Sequence, residues 1–508
     1  VSELSVLAQA SVSGLIQVFT WPTFPLMMLG VAIGFLVGIL PGISAGATLA
    51  LMLPFTFVMK PVEAFAFLLG MLSISIMFGD ITSILFGVPG EPLAASMVLD
   101  GHPMATKGQA GRALGAALMS SLLGALVGAF ILAASIPIIR PLVLSVGAAE
   151  LFGLALLGMV FIAALSTHNM LKGVLMGGFG MMLSTVGSSP QVGVERYTLG
   201  IPFLFEGVNL VAVTVGLFGV SELVDLYIHP IGIARARVGP LGGVWHGCKD
   251  TFAHWALALR CSLLGTILGV IPGIGSSAQW LSYAHAVQSA KDKGGFGSGD
   301  VRGVIGPGAA MNAKEGGNLI TTVAFGVPGS TTMAILLGAF LIQGVAPGPS
   351  MLTNQLPLTM SFVWIMIVSH VISVGLSFLF LQQMVRITEI RSSLILPGIV
   401  LLILFGGYSA DNSLFSMGLT ILFGFIGILM IRCDWPRPPL VLGLVLGRLL
   451  ERHLGIAYQV YGFSFALRPA FVGIVLIAAL VTFAPLIRRR LARQAPEVPS
   501  ELAYVPES

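Results

Sequence analysis

The sequence predicts an all-α polytopic membrane protein built from two internal repeats, and three observations carry that prediction. Of 508 residues, 56% are hydrophobic and only 9% are charged, with a mean hydropathy of +0.98; soluble domains carry about 25% charged residues. Stretches such as Ala113–Ile139, Pro357–Leu381, Ser413–Ile431 and Pro469–Ile487 are long and apolar, and a helical crossing needs about 20 residues. Two strings occur twice in the same order. Gly-Ile-Leu-Pro-Gly-Ile at Gly38–Ile43 is matched by Gly-Val-Ile-Pro-Gly-Ile at Gly269–Ile274, and Phe-Gly-Val-Pro-Gly stands at both Phe86–Gly90 and Phe325–Gly329.

Helices follow from the first two observations, because backbone facing lipid must satisfy its own hydrogen bonds. No stretch alternates in polarity over the roughly ten-residue period of a membrane β-strand. The 64 glycines and 29 prolines lie within apolar segments, where glycine allows close helix contact and proline breaks are tolerated beside cavities. Cys248, Cys261 and Cys433 lack metal-ligand spacing and read as free structural residues. The net charge of +4 reflects basic loops and does not point to nucleic acid.

In chain order, residues 1–23 form a mixed N-terminal segment without the charged start and cleavage site of a signal peptide. The first repeat is read as 24–228. Its apolar run Phe24–Val58 is broken only at Pro41–Gly42, which predicts two helical pieces. Spans follow near Val62–Phe78, Gly111–Ile138, Leu142–Leu165, Leu171–Val186 and Leu204–Val224. A basic connector, 229–252, carries Arg235, Arg237 and Lys249. The second repeat with its C-terminal helices is read as 253–487, including a polar loop at Ala290–Gly308 and spans near Pro357–Leu381, Leu394–Gly407, Ser413–Ile431, Leu440–Leu450 and Pro469–Ile487. About eleven to thirteen spans result. The connector and the tail 488–508, with Arg488, Arg489, Arg490 and Arg493, are expected on the cytoplasmic side.

The duplicated breaks are where chemistry is expected. Proline removes a backbone N–H and stops a helix, and the following glycine permits unusual dihedrals. A break in mid-membrane frees carbonyls on one side and N–H groups on the other: the carbonyls suit a cation, and the helix N-terminus suits a carboxylate. Broken helices at matching places in two halves are the pattern of a secondary transporter, with inverted repeats the geometry that best suits it. The substrate-binding candidates are therefore Pro41, Gly42, Ser44, Pro89, Gly90, Pro272, Gly273, Ser276, Ser277, Pro328, Gly329, Ser330 and Thr331. For a single Pro-Gly the plainer reading is a kink whose hydroxyls bond their own backbone; duplication of both strings favours function.

Charges inside apolar segments cost about 2.5–3.5 kcal/mol on insertion scales and are often functional. Asp80 and Glu91 bracket the first Phe-Gly-Val-Pro-Gly and, with Thr82, Ser83, Asn312, Glu315 and Thr321, are the candidates for ion coupling. Lys314 beside Glu315 reads more readily as a solvated turn. Glu150, His285 and His370 read as packing residues with hydrogen-bond partners.

The strings Gly38–Pro54 (GILPGISAGATLALMLP), Ile84–Gly101 (ILFGVPGEPLAASMVLDG), Gly108–Leu118 (GQAGRALGAAL) and Gly326–Pro349 (GVPGSTTMAILLGAFLIQGVAPGP) resemble the large membrane subunit of the tripartite tricarboxylate transporters. The resemblance implies a multi-pass permease of the bacterial inner membrane that takes up carboxylate anions, driven by Na⁺ or H⁺ and needing no cofactor. It also implies two partners, a small membrane subunit and a periplasmic solute-binding protein. Two departures from the family pattern stand out: Asp80 replaces a usual glycine, and Gly308 stands where an acid is usual, with Glu315 a nearby substitute. No lysine follows a glycine, so a Walker loop is absent. The weaker alternatives are a scaffold subunit without transport of its own and an intramembrane enzyme, for which no partnered Asp or His is evident.

Overall fold

The computed structural model describes residues 3–39, 44–87, 89, 92–165, 170–189, 191–228, 241–272, 274–387, 392–409 and 411–480. Pro41, Gly42, Gly90, Glu91 and Gly273, most of the connector and the C-terminal tail lie outside the described residues.

The first half runs through α1 (Glu3–Phe19), α2 (Thr23–Ile39), α3 (Ala45–Met52), α4 (Pro61–Phe86), α5 (Val98–Met104), α6 (Ala110–Leu144), α7 (Ala148–Leu165), α8 (Met170–Ser184), α9 (Leu210–Thr214) and α10 (Ser221–Ile228). The second half contains α11 (Val244–Ala253), α12 (Trp255–Val270), α13 (Ala278–Ser289), α14 (Arg302–Phe325), α15 (Thr331–Ile342), α16 (Leu356–Ile387), α17 (Ser392–Ser409), α18 (Leu414–Arg432) and α19 (Arg437–Tyr461). Among the described residues, the β-structure is a two-residue strand pair, Gly187–Ser188 with Glu195–Arg196. The all-α polytopic class is thus what the structure shows.

By length and composition, five helices among the described residues can cross a membrane, or up to eight if each bent pair counts as one. The bent pairs are α1 with α2 (69°), α11 with α12 (79°), and Arg437–Leu467 with Pro469–Leu480 (67°). Among the described residues five further apolar stretches, among them α8, α15 and Ala148–Val160 of α7, run only 10–17 residues, short of a full crossing at about 1.5 Å per residue.

At the centre stand α4 and α14, the two helices that end in Phe-Gly-Val-Pro-Gly. The apolar window of α4 is wholly buried, and every α14 residue from Gly303 to Ala324 is buried. Hydropathy misses α14 because it touches other helices instead of lipid and can therefore carry Asn312, Lys314, Glu315 and Asn318. Two expectations are corrected here. The polar loop ends before Arg302, where α14 begins. Lys314 and Glu315 do not form a solvated turn; they face each other at 3.3 Å with side chains 3% and 5% exposed.

Glycines permit this packing. Helix association in a membrane rests on close van der Waals contact between small residues, and the same contact recurs in both halves. A Cβ on Gly34 or Gly38 of α2 would overlap the carbonyl of Met71 or Ser75 on α4; one on Gly265 or Gly269 of α12 would overlap that of Ala310 or Lys314 on α14. Helix α1 packs on α16 and α11 packs on α6, so each half lends an arm to the other. Residues 244–253, all but the last of them read as the end of the connector, are this second arm. Helices α7, α8 and α19 form a side layer, and α17 and α18 pack against 215–220.

Candidate functional site

Both central helices end alike. Gly87 and Gly326 take a left-handed conformation with φ 67°, which an L side chain adopts only with strain, and their N–H groups donate to Ser83 and Thr322 carbonyls at 3.1 Å. Thr82 and Ser83 hydroxyls donate to Gly79 O at 3.0 and 2.9 Å, and Thr321 and Thr322 donate to Asn318 O at 3.2 and 2.6 Å. These hydroxyls therefore satisfy their own helix, as the plainer reading held. After Pro328, which is buried as is Gly329, Ser330 restarts a helix: its Oγ accepts from Met333 N at 3.3 Å and shares a 2.9 Å bond with Thr332 Oγ1. Thr331 is the first residue of α15. In the first half Pro89 is exposed, and a 3₁₀ turn, Pro92–Met97, follows.

The second break lies against this second helix end. Helix α12 stops at Val270, Ile271 is extended, half-buried Pro272 follows, and a turn over Ile274–Ser277, which holds Ser276, leads into α13. Exposed Ser277 makes no side-chain cap bond there. Asn318 joins break and helix end: a Cβ on Gly329 would lie 2.6 Å from Asn318 Oδ1 and 2.9 Å from Gly269 O, and one on Gly275 would lie 3.4 Å from the same Oδ1. Asn318 Nδ2 donates to Glu315 Oε2 at 3.2 Å. Asn312 instead faces α6, donating to Ser121 Oγ.

The restart after the first break sits beside α15. Ser44 caps α3, its Oγ accepting from Ala47 N at 3.1 Å. A Cβ on Gly46 would lie 3.7 Å from Ile335 Cδ1 and 3.8 Å from Thr332 Cγ2, so the N-termini of α3 and α15 meet. Sequence reasoning missed what holds this end. Glu222 accepts from Ser44 N at 3.0 Å and Ser44 Oγ at 2.9 Å, and lies 3.7 Å from Arg437. Arg437 also donates to Leu217 O at 3.0 Å and Ser221 Oγ at 2.7 Å. Glu222 was detectable as a carboxylate within the apolar span Leu210–Ile228; Arg437, between Pro436 and Pro438, lies outside the spans read at Ser413–Ile431 and Leu440–Leu450.

Asp80 is 2% exposed and accepts from Gln279 Nε2 of α13 at 3.1 Å, which ties the end of α4 to the helix after the second break. Gly308 faces Ser120 Oγ and Met97 Cε, so an acid there would require both to move. Glu150 and His370 are packing residues with partners, Arg468 Nε at 2.6 Å and Met366 O at 2.7 Å. Cys248, Cys261 and Cys433 are free.

A second polar cluster ties the halves at one end. Fully buried Asp100 accepts from Tyr283 Oη at 2.9 Å, Gly299 N at 2.8 Å and Asp300 N at 3.0 Å. Burial pushes the Asp300 carboxyl up, but hydrogen bonds from the side chain and backbone of Arg302 outweigh it and hold it below the ordinary range. That contribution is complete above the unfolded carboxyl range and is lost as pH falls through the depressed value. Asp100→Ala would strand a hydroxyl and two N–H groups on half-buried residues, which cost about 1–3 kcal/mol each when fully buried and less where water reaches them. The expected result is a loss of about 2–4 kcal/mol, with faster protease cleavage within 290–301; unchanged cleavage and melting would show that the cluster is not a fastening.

The family model that matches residues 24–442 is described as the tripartite tricarboxylate transporter TctA family. An Agrobacterium vitis protein named "Uncharacterized 52.8 kDa protein in TAR-I ttuC' 3'region" is 35% identical over 430 residues, covering 84% of this chain and 85% of that one. A second from the same organism, "Uncharacterized protein in TAR-II ttuC' 3'region", is 35% identical over 191 residues, 37% of this chain and 79% of its own. No solved structure matches. The expected family is therefore shown: this chain is a multi-pass membrane protein and belongs to the tripartite tricarboxylate transporter TctA family.

Proposed function

We propose that the chain is the permease subunit of a binding-protein-dependent secondary transporter, importing carboxylate anions by cation symport and alternating access. The observation that carries this reading is the meeting of two capped helix N-termini, at Ser44 and Ser330, with the carbonyl of Gly269 at the end of α12 close to Gly329. Each N-terminus presents roughly half a positive charge; the Glu222 carboxylate already sits on that of α3, so the end of α15 at Ser330 is the one that suits a substrate carboxylate. In this reading Pro41, Gly42, Ser44, Pro89, Gly90, Pro272, Gly273, Ser276, Ser277, Pro328, Gly329, Ser330 and Thr331 frame the substrate, and Asp80, Glu91, Thr82, Ser83, Asn312, Glu315 and Thr321 surround the coupling ion. The two halves act as inverted repeats whose relative movement opens the site to either side. The partners are a small membrane subunit and a periplasmic solute-binding protein, in the bacterial inner membrane.

The test is uptake of radiolabelled carboxylates into vesicles containing both membrane subunits, with the binding protein supplied and an Na⁺ or H⁺ gradient imposed. Accumulation that needs both gradient and binding protein is expected. Failure with the binding protein's own confirmed ligand, in an intact complex, would favour a scaffold subunit.

A further inference from the structure

We infer that the groove between α8 and α18 binds one anionic phospholipid of the bilayer, with an acyl chain along the groove and the phosphate held by Lys172 and Arg432. Helix α8 packs on α19, whereas α18 packs on residues 215–220, and the gap between α8 and α18 measures about 230 Å³. Its walls are Phe179 of α8 and Leu429 of α18, 39% and 45% exposed, and buried Met430 and Leu440 line its depth. Cys433 and Trp435 line one end. From Ile426 to Cys433 the lining follows two turns of helix, about 10 Å. A gap with apolar walls gives water no partners, and leaving it unfilled forfeits dispersion contacts along each wall. A helix with its side chains is about 10–12 Å across and would need several times this volume. One extended acyl chain is the bilayer component of matching width.

The charged end selects the headgroup. Helix α18 closes in a Schellman turn: Asp434 N donates to Ile431 O at 3.2 Å, Trp435 N donates to Met430 O at 2.7 Å, and Asp434 is left-handed at φ 53°. The turn fixes Trp435 at the end of the groove and leaves Arg432, in the last turn of α18, exposed. Lys172 reaches the same place from α8. Its Nζ donates to Cys433 O at 2.8 Å and Asp434 O at 3.1 Å, and lies 5.6 Å from the Trp435 ring centroid. Those bonds cover helix-end carbonyls that would otherwise repel an anion, and an ammonium has a third donor for a phosphate oxygen. Exposed Asp434 is the one acid of the turn, and the two cations outnumber it. Trp at the interface and basic side chains between membrane helices are how such proteins hold anionic headgroups. Capping of α18 accounts for the two bonds of Lys172, but not for Arg432 or for the apolar groove that opens beside them.

The experiment counts lipids. The purified protein is reconstituted in vesicles of equal parts phosphatidylglycerol and phosphatidylcholine, re-extracted in mild detergent and measured by native mass spectrometry. Wild type should retain one phosphatidylglycerol more than Leu429→Trp, whose larger ring fills the groove from an already exposed wall. Phe179→Trp, on the opposite wall, replaces that variant if its unfolding temperature shows that it does not fold. Lys172→Gln and Arg432→Gln should each lower the preference for phosphatidylglycerol about fivefold. Equal lipid counts in wild type and a folded tryptophan variant would overturn the site. An unchanged headgroup preference in both glutamine variants, with only a lower unfolding temperature for Lys172→Gln, would reduce Lys172 to a helix cap and overturn it too. If the tryptophan variants instead lose a second membrane protein that co-purifies with wild type, the groove docks protein and the lipid assignment falls.

Discussion

Replacing Gly329 by alanine is expected to abolish gradient-driven uptake while the protein still folds and inserts. The new methyl would begin 2.6 Å from Asn318 Oδ1, 2.9 Å from Asn318 Cα and 2.9 Å from Gly269 O. Two of these are backbone atoms of packed helices, so neither can swing aside as a flexible side-chain tip would. Overpacking of this size costs about 1–3 kcal/mol, too little to unfold a large helical bundle but enough to push the helix end away from the break. Gly375→Ala is the control. Its Cβ would meet nothing within 4 Å, and alanine is favoured over glycine in a helix by about 1 kcal/mol. Normal uptake by the Gly329 variant, with both proteins equally abundant in the membrane, would separate this junction from transport.

The second large effect is expected at Glu222. Its carboxylate holds Ser44 through two hydrogen bonds and offsets Arg437 at 3.7 Å, with the two side chains 15% and 20% exposed. Glu222→Ala would strand the Ser44 N–H and remove this carboxylate from the guanidinium. Loss of about 2–4 kcal/mol follows, from one unsatisfied donor and a largely buried guanidinium that loses the stronger of the two carboxylates acting on it, Asp225 being the other. Glu222→Gln keeps an acceptor for Ser44 and should cost about half as much. Because Arg437→Ala strands the opposite charge, the double variant should be less destabilised than the two single losses added together, by about 1 kcal/mol or more. Unfolding of all four proteins in one detergent measures this. Additive losses would show that the two groups act independently and that Ser44 is held by other means.

The two predictions fall on opposite sides of what the residue order reveals. Gly329 is legible because a repeated Phe-Gly-Val-Pro-Gly in an apolar chain has few purely structural explanations. Asn318 and Ser44 also sit next to the repeated strings and could be picked out as polar residues flanking a break. Glu222 and Arg437 could not be paired in advance, since they stand far apart in the chain and meet only where α10 and α19 pack around the start of α3. The same holds for Gln279 with Asp80 and for Tyr283 with Asp100.

The misreading of Lys314 and Glu315 has a related cause. Hydropathy scores a residue against lipid or water, whereas α14 is surrounded by protein. Its polar residues are matched by neighbours from other helices, such as Ser121 on α6, and its glycines admit those neighbours closely. A helix of that kind looks like a loop in any one-dimensional reading.

Composition, apolar length and the duplicated strings by themselves determined the membrane class, the helical content and the positions at which helices must end. They do so because a bilayer removes every option except internal hydrogen bonding, and because proline and glycine act locally. Tertiary structure alone decided which ends meet: α3 against α15, the second break against Asn318, and Glu222 against Ser44. Those contacts depend on how close two backbones can approach and on which buried polar atom finds a partner, and both are set by helices that are distant in the chain.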